Sequence, residues 1–250
     1  MNLGDTMFNK IKSILKKDKD KEKHIIVCIH GFGVRTIHHY DNFKLWSNGK
    51  YNFHTFEIFV KENEEDCNPH AWISRCENAV HTFLQLGYKV DVVGFSMGGV
   101  LASHVASKYN IGRLFLIAPS FEYLNANNVV SKTRDMFVKK EDSKEPVLPS
   151  SFTSCFMEVV RLCKEDIKNV KCPVCIVHGN QDEVIPYRSS INIFNHIPHD
   201  RKQLFIINKG VHRMMSQEHC GYEVYKLFEL FMDHQILPDI KPEFSKDVIN

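Results

Sequence analysis

The sequence has no long hydrophobic run, almost no net charge and few cysteines for its length. No stretch approaches the roughly 18 uninterrupted apolar residues of a membrane-spanning helix, which argues against an integral membrane protein. The 32 basic and 30 acidic residues leave a formal net charge of +2. A chain so nearly neutral has no global field to attract nucleic acid or an anionic membrane. We therefore expect neither nucleic-acid binding nor stable membrane insertion.

The eight cysteines are too sparse for a small scaffold held together by disulfides. Scaffolds of that kind are short secreted chains with a cysteine content above about 8–10%. Cys28, Cys76 and Cys175 lie within apolar patterns, where a free thiol behaves as a small hydrophobic side chain. Residues 1–23 contain no apolar segment of the kind found in signal peptides. These observations predict a reduced, cytoplasmic protein.

What the sequence does contain is typical of one globular domain, with 43% hydrophobic and 25% charged residues in 250 positions. From residue 24 onward, short apolar runs alternate with amphipathic helical patterns. This alternation predicts a doubly wound, mostly parallel α/β sheet with helices on both faces. The predicted strands are 24–29, 51–60, 88–95, 112–118, 173–177 and 203–207, and the predicted helices are 68–86, 97–109, 187–196 and 217–234.

Two segments interrupt the alternation. Residues 1–23 form a charged N-terminal tail whose apolar face is barely two turns long, so we favour a solvated tail over a peripheral membrane anchor. Residues 119–172 contain no apolar strand, are rich in lysine at their centre, and show a helical pattern from 152 to 166. Because a structureless loop of this length is improbable, we predict a small helical cap. The core then comprises residues 24–118 and 173–236.

The strongest chemical signal is the run Gly94-Phe95-Ser96-Met97-Gly98-Gly99. A G-x-S-x-G pattern between a buried strand and a helix forms a nucleophile elbow, in which a strained turn exposes the serine hydroxyl. The residues two before and two after the serine must be small because strand and helix cross closely there. The backbone amide that follows the serine points to where an oxyanion forms. This motif predicts Ser96 as the nucleophile and the Met97 amide as one oxyanion donor.

A second motif, His30-Gly31-Phe32-Gly33, follows the first predicted strand. A backbone amide just beyond such a strand is well placed to complete an oxyanion hole, and the Phe32 amide would supply it. For His30 itself we favour hydrogen bonding to neighbouring backbone over a role in catalysis.

A serine nucleophile needs a base, and the base needs an acid to orient it. Among the 14 histidines, His212 follows the last strand and precedes the last helix, at the carboxyl edge where active sites of such sheets gather. Other histidines, such as His178, lie within strand patterns or at their ends. The acid candidate is Asp182, which follows the preceding strand, with Glu183 and Glu122 as alternatives.

In order and spacing, the motifs HGFG, GFSMGG, HGNQDEVIP and GVHRM resemble those of α/β-hydrolases. The likeness is to small bacterial carboxylesterases and monoglyceride-lipase-like serine hydrolases, and it covers about residues 23–234. It implies Ser96 as nucleophile, His212 as base, Asp182 as orienting acid, and Phe32 and Met97 as oxyanion donors. The chain order serine, aspartate, histidine is the α/β-hydrolase order.

The predicted function is hydrolysis of carboxylic esters with short to medium acyl chains through an acyl-enzyme, with a small-molecule ester as the partner. Phe152 and Phe156 in the predicted cap would line an acyl pocket. Alternatives with the same triad are a thioesterase and a monoacylglycerol lipase, and an alternative of another class is a non-catalytic small-molecule receptor on a hydrolase scaffold.

We expect no cofactor and no metal site from these motifs. Cys172 and Cys175 have the spacing of a zinc-binding pair, but no second pair completes the four ligands. No glycine-rich phosphate-binding loop is present, because Gly31 and Gly33 lack the third glycine of that pattern.

Overall fold

The computed structural model describes residues 23–33, 36–122, 148–216 and 218–237. Residues 1–22 of the predicted tail and 123–147 of the predicted cap lie outside these ranges. Within the described ranges, no helix combines the length and apolar character needed to cross a bilayer.

The centre of the described structure is a parallel sheet of six strands in the order β2-β1-β3-β4-β5-β6. This arrangement confirms the predicted α/β architecture. The strands are β1 His24–Ile29, β2 Phe53–Thr55, β3 Lys89–Phe95, β4 Leu114–Ile117, β5 Val174–Gly179 and β6 Lys202–Ile207.

Helices cover both faces of the sheet. Buried residues of α2 to α5 belong to the core cluster on one face, and those of α1 and α6 belong to the cluster on the other. The helices are α1 Asp41–Trp46, α2 Pro69–Gln85, α3 Met97–Lys108, α4 Ser150–Cys163, α5 Arg188–His196 and α6 Glu218–Met232.

Strand β1 shows why the apolar runs of the sequence are continuous. Ile25, Val27 and Ile29 belong to one core cluster, whereas Ile26 and Cys28 belong to the other. Successive side chains of a strand point to opposite faces, so a strand covered on both sides must be apolar at every position.

Helix α2 begins and ends where the sequence predicts. The Asn68 side chain accepts hydrogen bonds from the backbone amides of His70 and Ala71, and Pro69 occupies the first turn. Gly87, with a φ of 77°, follows the helix. The predicted inner face is buried and comprises Trp72, Cys76, Ala79, Val80 and Phe83.

The edge strands of the sheet are β2 and β6. β2 is shorter than the predicted 51–60, because Ile58 and Val60 donate their backbone amides to the side chains of His30 and Asp66, not to a neighbouring strand. β6 is only partly buried, because it is the last strand of the sheet and has one strand neighbour. The short helix α1 was not predicted.

Helix α4 lies in the predicted cap region and overlaps the predicted helical pattern 152–166, but it begins two residues earlier and ends three residues earlier. It packs against α2 and α3, and its buried side chains belong to the larger core cluster. This helix therefore helps to cover one face of the sheet.

Candidate active site

Ser96 occupies a strained turn between β3 and α3, with φ 54° and ψ −121°. A non-glycine residue rarely adopts a positive φ, and such strain clusters at functional sites. A Cβ atom on Gly94 would lie 2.4 Å from the Gly98 carbonyl oxygen, and one on Gly98 would lie 2.1 Å from the Ile29 carbonyl oxygen. The two glycines are therefore required by the close approach of β1, β3 and α3.

The structure brings Ser96, His212 and Asp182 together in one chain of hydrogen bonds. The Ser96 Oγ lies 3.0 Å from His212 Nε2, and His212 Nδ1 lies 2.8 Å from Asp182 Oδ2. Each residue follows a different strand, namely β3, β5 or β6, and all three strands end at the same edge of the sheet. Parallel topology thus assembles residues that are up to 116 positions apart in sequence.

The hydrogen bonds around Asp182 keep its carboxylate charged. Its Oδ1 accepts the backbone amides of Val184 at 2.8 Å and Ile185 at 2.7 Å, and its Oδ2 accepts from both His178 and His212. Burial by itself raises the pKa of the Asp182 carboxyl, but the hydrogen bonds from the two histidines outweigh it and hold the pKa well below its usual range.

The charged carboxylate determines the protonation pattern of the site. Because Asp182 accepts, His212 Nδ1 donates, and the Nε2 lone pair then accepts the Ser96 hydroxyl proton. In this tautomer His212 is ready to act as a base toward the serine.

Neither alternative acid contacts the His212 ring. The Glu183 carboxylate accepts the backbone amide of His212 at 3.1 Å and so orients the loop. Glu122 is exposed and accepts from Asn192 at 2.9 Å.

Sequence reasoning assigned no role to His178, which completes the acid's environment. Its Nε2 donates to Asp182 Oδ2 at 3.0 Å and to the Ile185 carbonyl at 3.1 Å, so its Nδ1 is left to accept the Ser190 hydroxyl at 2.7 Å. The available signal was its spacing, since His178 lies next to the last residue of β5 and four residues before Asp182.

Sequence reasoning also missed Ser120, which is fully buried beside the nucleophile. Its Oγ lies 2.9 Å from Ser96 Oγ, and its backbone amide donates to the Ser96 carbonyl at 3.1 Å. Since the Ser96 proton is directed at His212, the Ser120 hydroxyl is the donor in the pair. Its place just beyond β4, at the same sheet edge, was the only available signal.

The loop after β1 passes beside the nucleophile. A Cβ atom on Gly31 would lie 3.1 Å from the Ser96 Cβ, so Phe32 follows directly next to the site. Met97 is the first residue of α3, and first-turn amides have no acceptor within their own helix. Phe32 therefore follows a residue that lies beside Ser96, and Met97 follows Ser96 directly.

His30 holds this loop in place and does not contact the triad through its hydrogen bonds. Its Nδ1 donates to the Gly31 carbonyl at 2.7 Å, and its Nε2 accepts the Ile58 amide at 2.9 Å. Burial lowers the pKa of His30 to about 4, which keeps the ring neutral. Both nitrogens are thus occupied by backbone, as expected from the sequence.

The two phenylalanines of α4 differ in their surroundings. The Phe156 ring stacks on the Phe32 ring, with centroids 5.0 Å apart and an interplanar angle of 10°. Phe152 is fully buried and packs against Phe59 and Trp72 in the core. Both side chains are buried in the same core cluster, and Phe156 is the one that contacts Phe32 in the loop after β1.

The structure aligns with solved structures of known proteins along most of the chain. A structure reported for the metagenome-derived lipolytic enzymes LipS and LipT aligns with a TM-score of 0.70, 15% identity, and coverage of 85% of this chain and 95% of the other. The chain has the α/β-hydrolase fold.

Two further structures support this fold. A soluble variant of monoglyceride lipase from Saccharomyces cerevisiae aligns with a TM-score of 0.70 and 16% identity, over 87% of this chain and 88% of the other. Est1E from Butyrivibrio proteoclasticus aligns with a TM-score of 0.61 and 17% identity, over 88% and 91%. At these identities the likeness concerns the α/β-hydrolase fold.

Sequence comparison adds one partial match. The family model described as serine aminopeptidase, S33, matches residues 127–219. This segment contains Asp182 and His212 and begins well after Ser96. No curated protein sequence matches the chain.

The hydrogen bond that supports His178 is testable with two adjacent serines of α5. Ser190→Ala removes the hydroxyl that donates to His178 and leaves a buried nitrogen unsatisfied, so we expect a loss of about 1–3 kcal/mol in the free energy of unfolding. The measurement is urea-induced unfolding.

Ser189→Ala is the matched control, because Ser189 is equally buried and its Oγ has no hydrogen-bond partner in the described part of the chain. We expect this variant to be as stable as the wild type or slightly more so. Equal losses in both variants would contradict the role assigned to Ser190.

Proposed function

We propose that this protein is a serine hydrolase that cleaves carboxylic esters through an acyl-enzyme. The observation that carries the proposal is the unbroken hydrogen-bond chain from Ser96 through His212 to Asp182, with the serine in a strained turn. A buried serine without a catalytic role needs neither a correctly oriented base nor a positive φ. The lipolytic and esterase structures that share the fold support the same class of reaction.

The proposed reaction begins with attack of Ser96 Oγ on the acyl carbonyl while His212 Nε2 takes the hydroxyl proton. The charged Asp182 stabilises the imidazolium that forms. The Phe32 and Met97 amides donate to the oxyanion of the tetrahedral intermediate. His212 then gives the proton to the departing alcohol, and water repeats the sequence on the acyl-enzyme.

We assign short to medium acyl chains to the site. The partly buried Phe32 ring, which stacks on the buried Phe156 ring, would offer an apolar surface beside Ser96, and each methylene buried there contributes about 0.8 kcal/mol. The central part of the predicted cap carries many charged residues, among them Lys139, Lys140, Glu141 and Asp142, which disfavours docking on a lipid surface.

A second candidate function is cleavage of an amide bond, favoured by the partial match to the serine aminopeptidase model. The triad chemistry is the same, so substrate comparison separates the two. Faster turnover of aminoacyl p-nitroanilides than of p-nitrophenyl esters would favour a peptidase.

The first prediction concerns the nucleophile. Ser96→Ala removes the attacking atom, so we expect kcat for p-nitrophenyl esters to fall on the order of 10⁴–10⁶-fold with the fold intact. A fluorophosphonate probe should label the wild type and fail to label Ser96→Ala.

Ser103→Ala is the control for this experiment. Ser103 is a buried serine of the same helix whose hydroxyl donates to the Gly99 carbonyl, and this variant should be labelled like the wild type. Labelling of a folded Ser96→Ala variant would refute the assignment, and failure to label the wild type would favour the non-catalytic receptor.

The second prediction concerns the acid. Asp182→Asn removes the charge that fixes the His212 tautomer, and we expect kcat to fall roughly 10⁴-fold. Glu183→Gln and Glu122→Gln should stay within about tenfold of wild type, because neither carboxylate contacts the imidazole. A large loss in Glu122→Gln with a mild one in Asp182→Asn would mean that the acid is Glu122.

The third prediction concerns chain length, measured as kcat/KM for p-nitrophenyl esters from acetate upward. Phe156→Ala should change the preferred acyl length, because Phe156 stacks on Phe32 at the site. Phe152→Ala should lower stability by about 3–5 kcal/mol and leave the preference unchanged. An unchanged profile in Phe156→Ala would remove α4 from the specificity argument, and strong activation by a triglyceride emulsion would indicate a lipase.

A further inference from the structure

Three side chains with different donor atoms lie close together where helices α3 and α4 pack against each other, away from the triad. His104 lies in α3, Cys163 ends α4, and Asp166 begins the short 3₁₀ helix Asp166–Asn169. Their ligand atoms lie within 4.8 Å of one another, and His104 Nδ1 is 2.6 Å from Asp166 Oδ2. We call these three residues the His104 cluster.

An imidazole nitrogen, a thiol sulfur and a carboxylate oxygen are the three donor types that zinc binds in proteins. Calcium and magnesium prefer oxygen donors alone, so a cysteine argues against them. We propose that the His104 cluster is a zinc-binding site with three protein ligands, namely His104 Nδ1, Cys163 Sγ and an Asp166 carboxylate oxygen. Water would complete the tetrahedron.

Glu77 of α2 supplies the outer contact that such a histidine ligand requires. The His104 Nε2 and the Glu77 Oε1 lie 2.7 Å apart, and Lys108 donates to the same oxygen at 2.6 Å. In this structure the two ring nitrogens of His104 face the carboxylates of Asp166 and Glu77. With zinc on Nδ1 in place of the Asp166 hydrogen bond, the Glu77 carboxylate would continue to accept from Nε2. Metal-binding histidines almost always have such an outer partner.

The burial of the cluster suits an ion that enters from solvent. The side chains of His104 and Asp166 remain 15% and 29% exposed, whereas Cys163 is almost fully buried. Burial raises the pKa of the Cys163 thiol to about 12, so the free protein holds a thiol there. Binding would form a zinc–sulfur bond and release the thiol proton to solvent.

Binding requires only a small rearrangement. Bonds of about 2.0–2.3 Å in a tetrahedron place neighbouring ligand atoms about 3.3–3.7 Å apart, so Asp166 must move away from His104 by about 1 Å. The aspartate sits at a helix start on the surface, where such a shift is easily accommodated.

The cluster lies on the helix that follows Ser96. His104 lies eight residues beyond Ser96, about 12 Å along α3. An ion here would link the helix that carries the nucleophile to α4 and to the 3₁₀ helix. The site does not depend on the proposed hydrolase activity, and its test uses no substrate.

The experiment is titration of the metal-free full chain with Co²⁺, followed by displacement with Zn²⁺. Tetrahedral thiolate coordination gives Co²⁺ strong visible bands and a sulfur-to-cobalt charge-transfer band in the near ultraviolet. We expect both bands to saturate at one ion per chain and to disappear when Zn²⁺ is added. Zn²⁺ should also raise the Tm of the wild type.

The variants separate the cluster from other sites. Cys163→Ser should lose the charge-transfer band, and Asp166→Asn should bind at least tenfold more weakly. Glu77→Ala should weaken binding 10–100-fold, as loss of an outer-shell partner does. Cys155→Ser is the matched control, because Cys155 is a buried cysteine of the same helix outside the cluster, and its spectrum should equal that of the wild type.

The proposal fails if the wild type shows no charge-transfer band, or if the band persists in Cys163→Ser. The first outcome would mean that His104 serves only as an ion-pair partner of Glu77 and Asp166. Should Cys163→Ser fail to fold, Asp166→Asn carries the test, since its side chain is partly exposed. Unchanged Co²⁺ affinity in that variant would equally overturn the assignment.

Discussion

The close crossing of β1, β3 and α3 around Ser96 is the constraint on which the rest of the site depends. Gly94 and Gly98 allow backbone to approach backbone at distances where any side chain would collide. The approach forces Ser96 into a positive φ and brings the loop after β1 to its side. Packing of the surrounding core sustains this strain, since buried apolar residues on both faces of the sheet hold the crossing strands together.

The buried acid requires a second set of constraints. A carboxylate removed from water is stable only when hydrogen bonds replace its hydration, and Asp182 receives two from backbone amides and two from histidines. The two histidines have different second partners. His212 faces Ser96, whereas His178 accepts a hydrogen bond from Ser190. The hydrogen bonds that orient the His212 ring thus extend through Asp182 and His178 to the fully buried Ser190 of α5.

Helices α3 and α4 connect these local features to the rest of the molecule. Ser96 lies at the start of helix α3 and contacts His212, and His104 lies further along the helix and contacts Asp166. In helix α4, Phe156 packs on Phe32 in the loop beside Ser96, and Cys163 belongs to the His104 cluster. The region that interrupts the strand–helix alternation therefore contacts the loop beside Ser96 through the packing of Phe156 on Phe32.

The sequence by itself determined the parallel α/β architecture, the helix starting at Pro69 and the sheet edge at which Ser96, Asp182 and His212 meet. These features follow from local rules, namely apolar runs for strands buried on both faces, an asparagine cap, and motifs at strand ends. Only the tertiary structure decided that Asp182 and not Glu183 contacts the imidazole, since adjacent residues point in different directions. It also ended β2 at Thr55 and brought Ser120 and His178 to the site, because those contacts join segments that are close only after the sheet has formed.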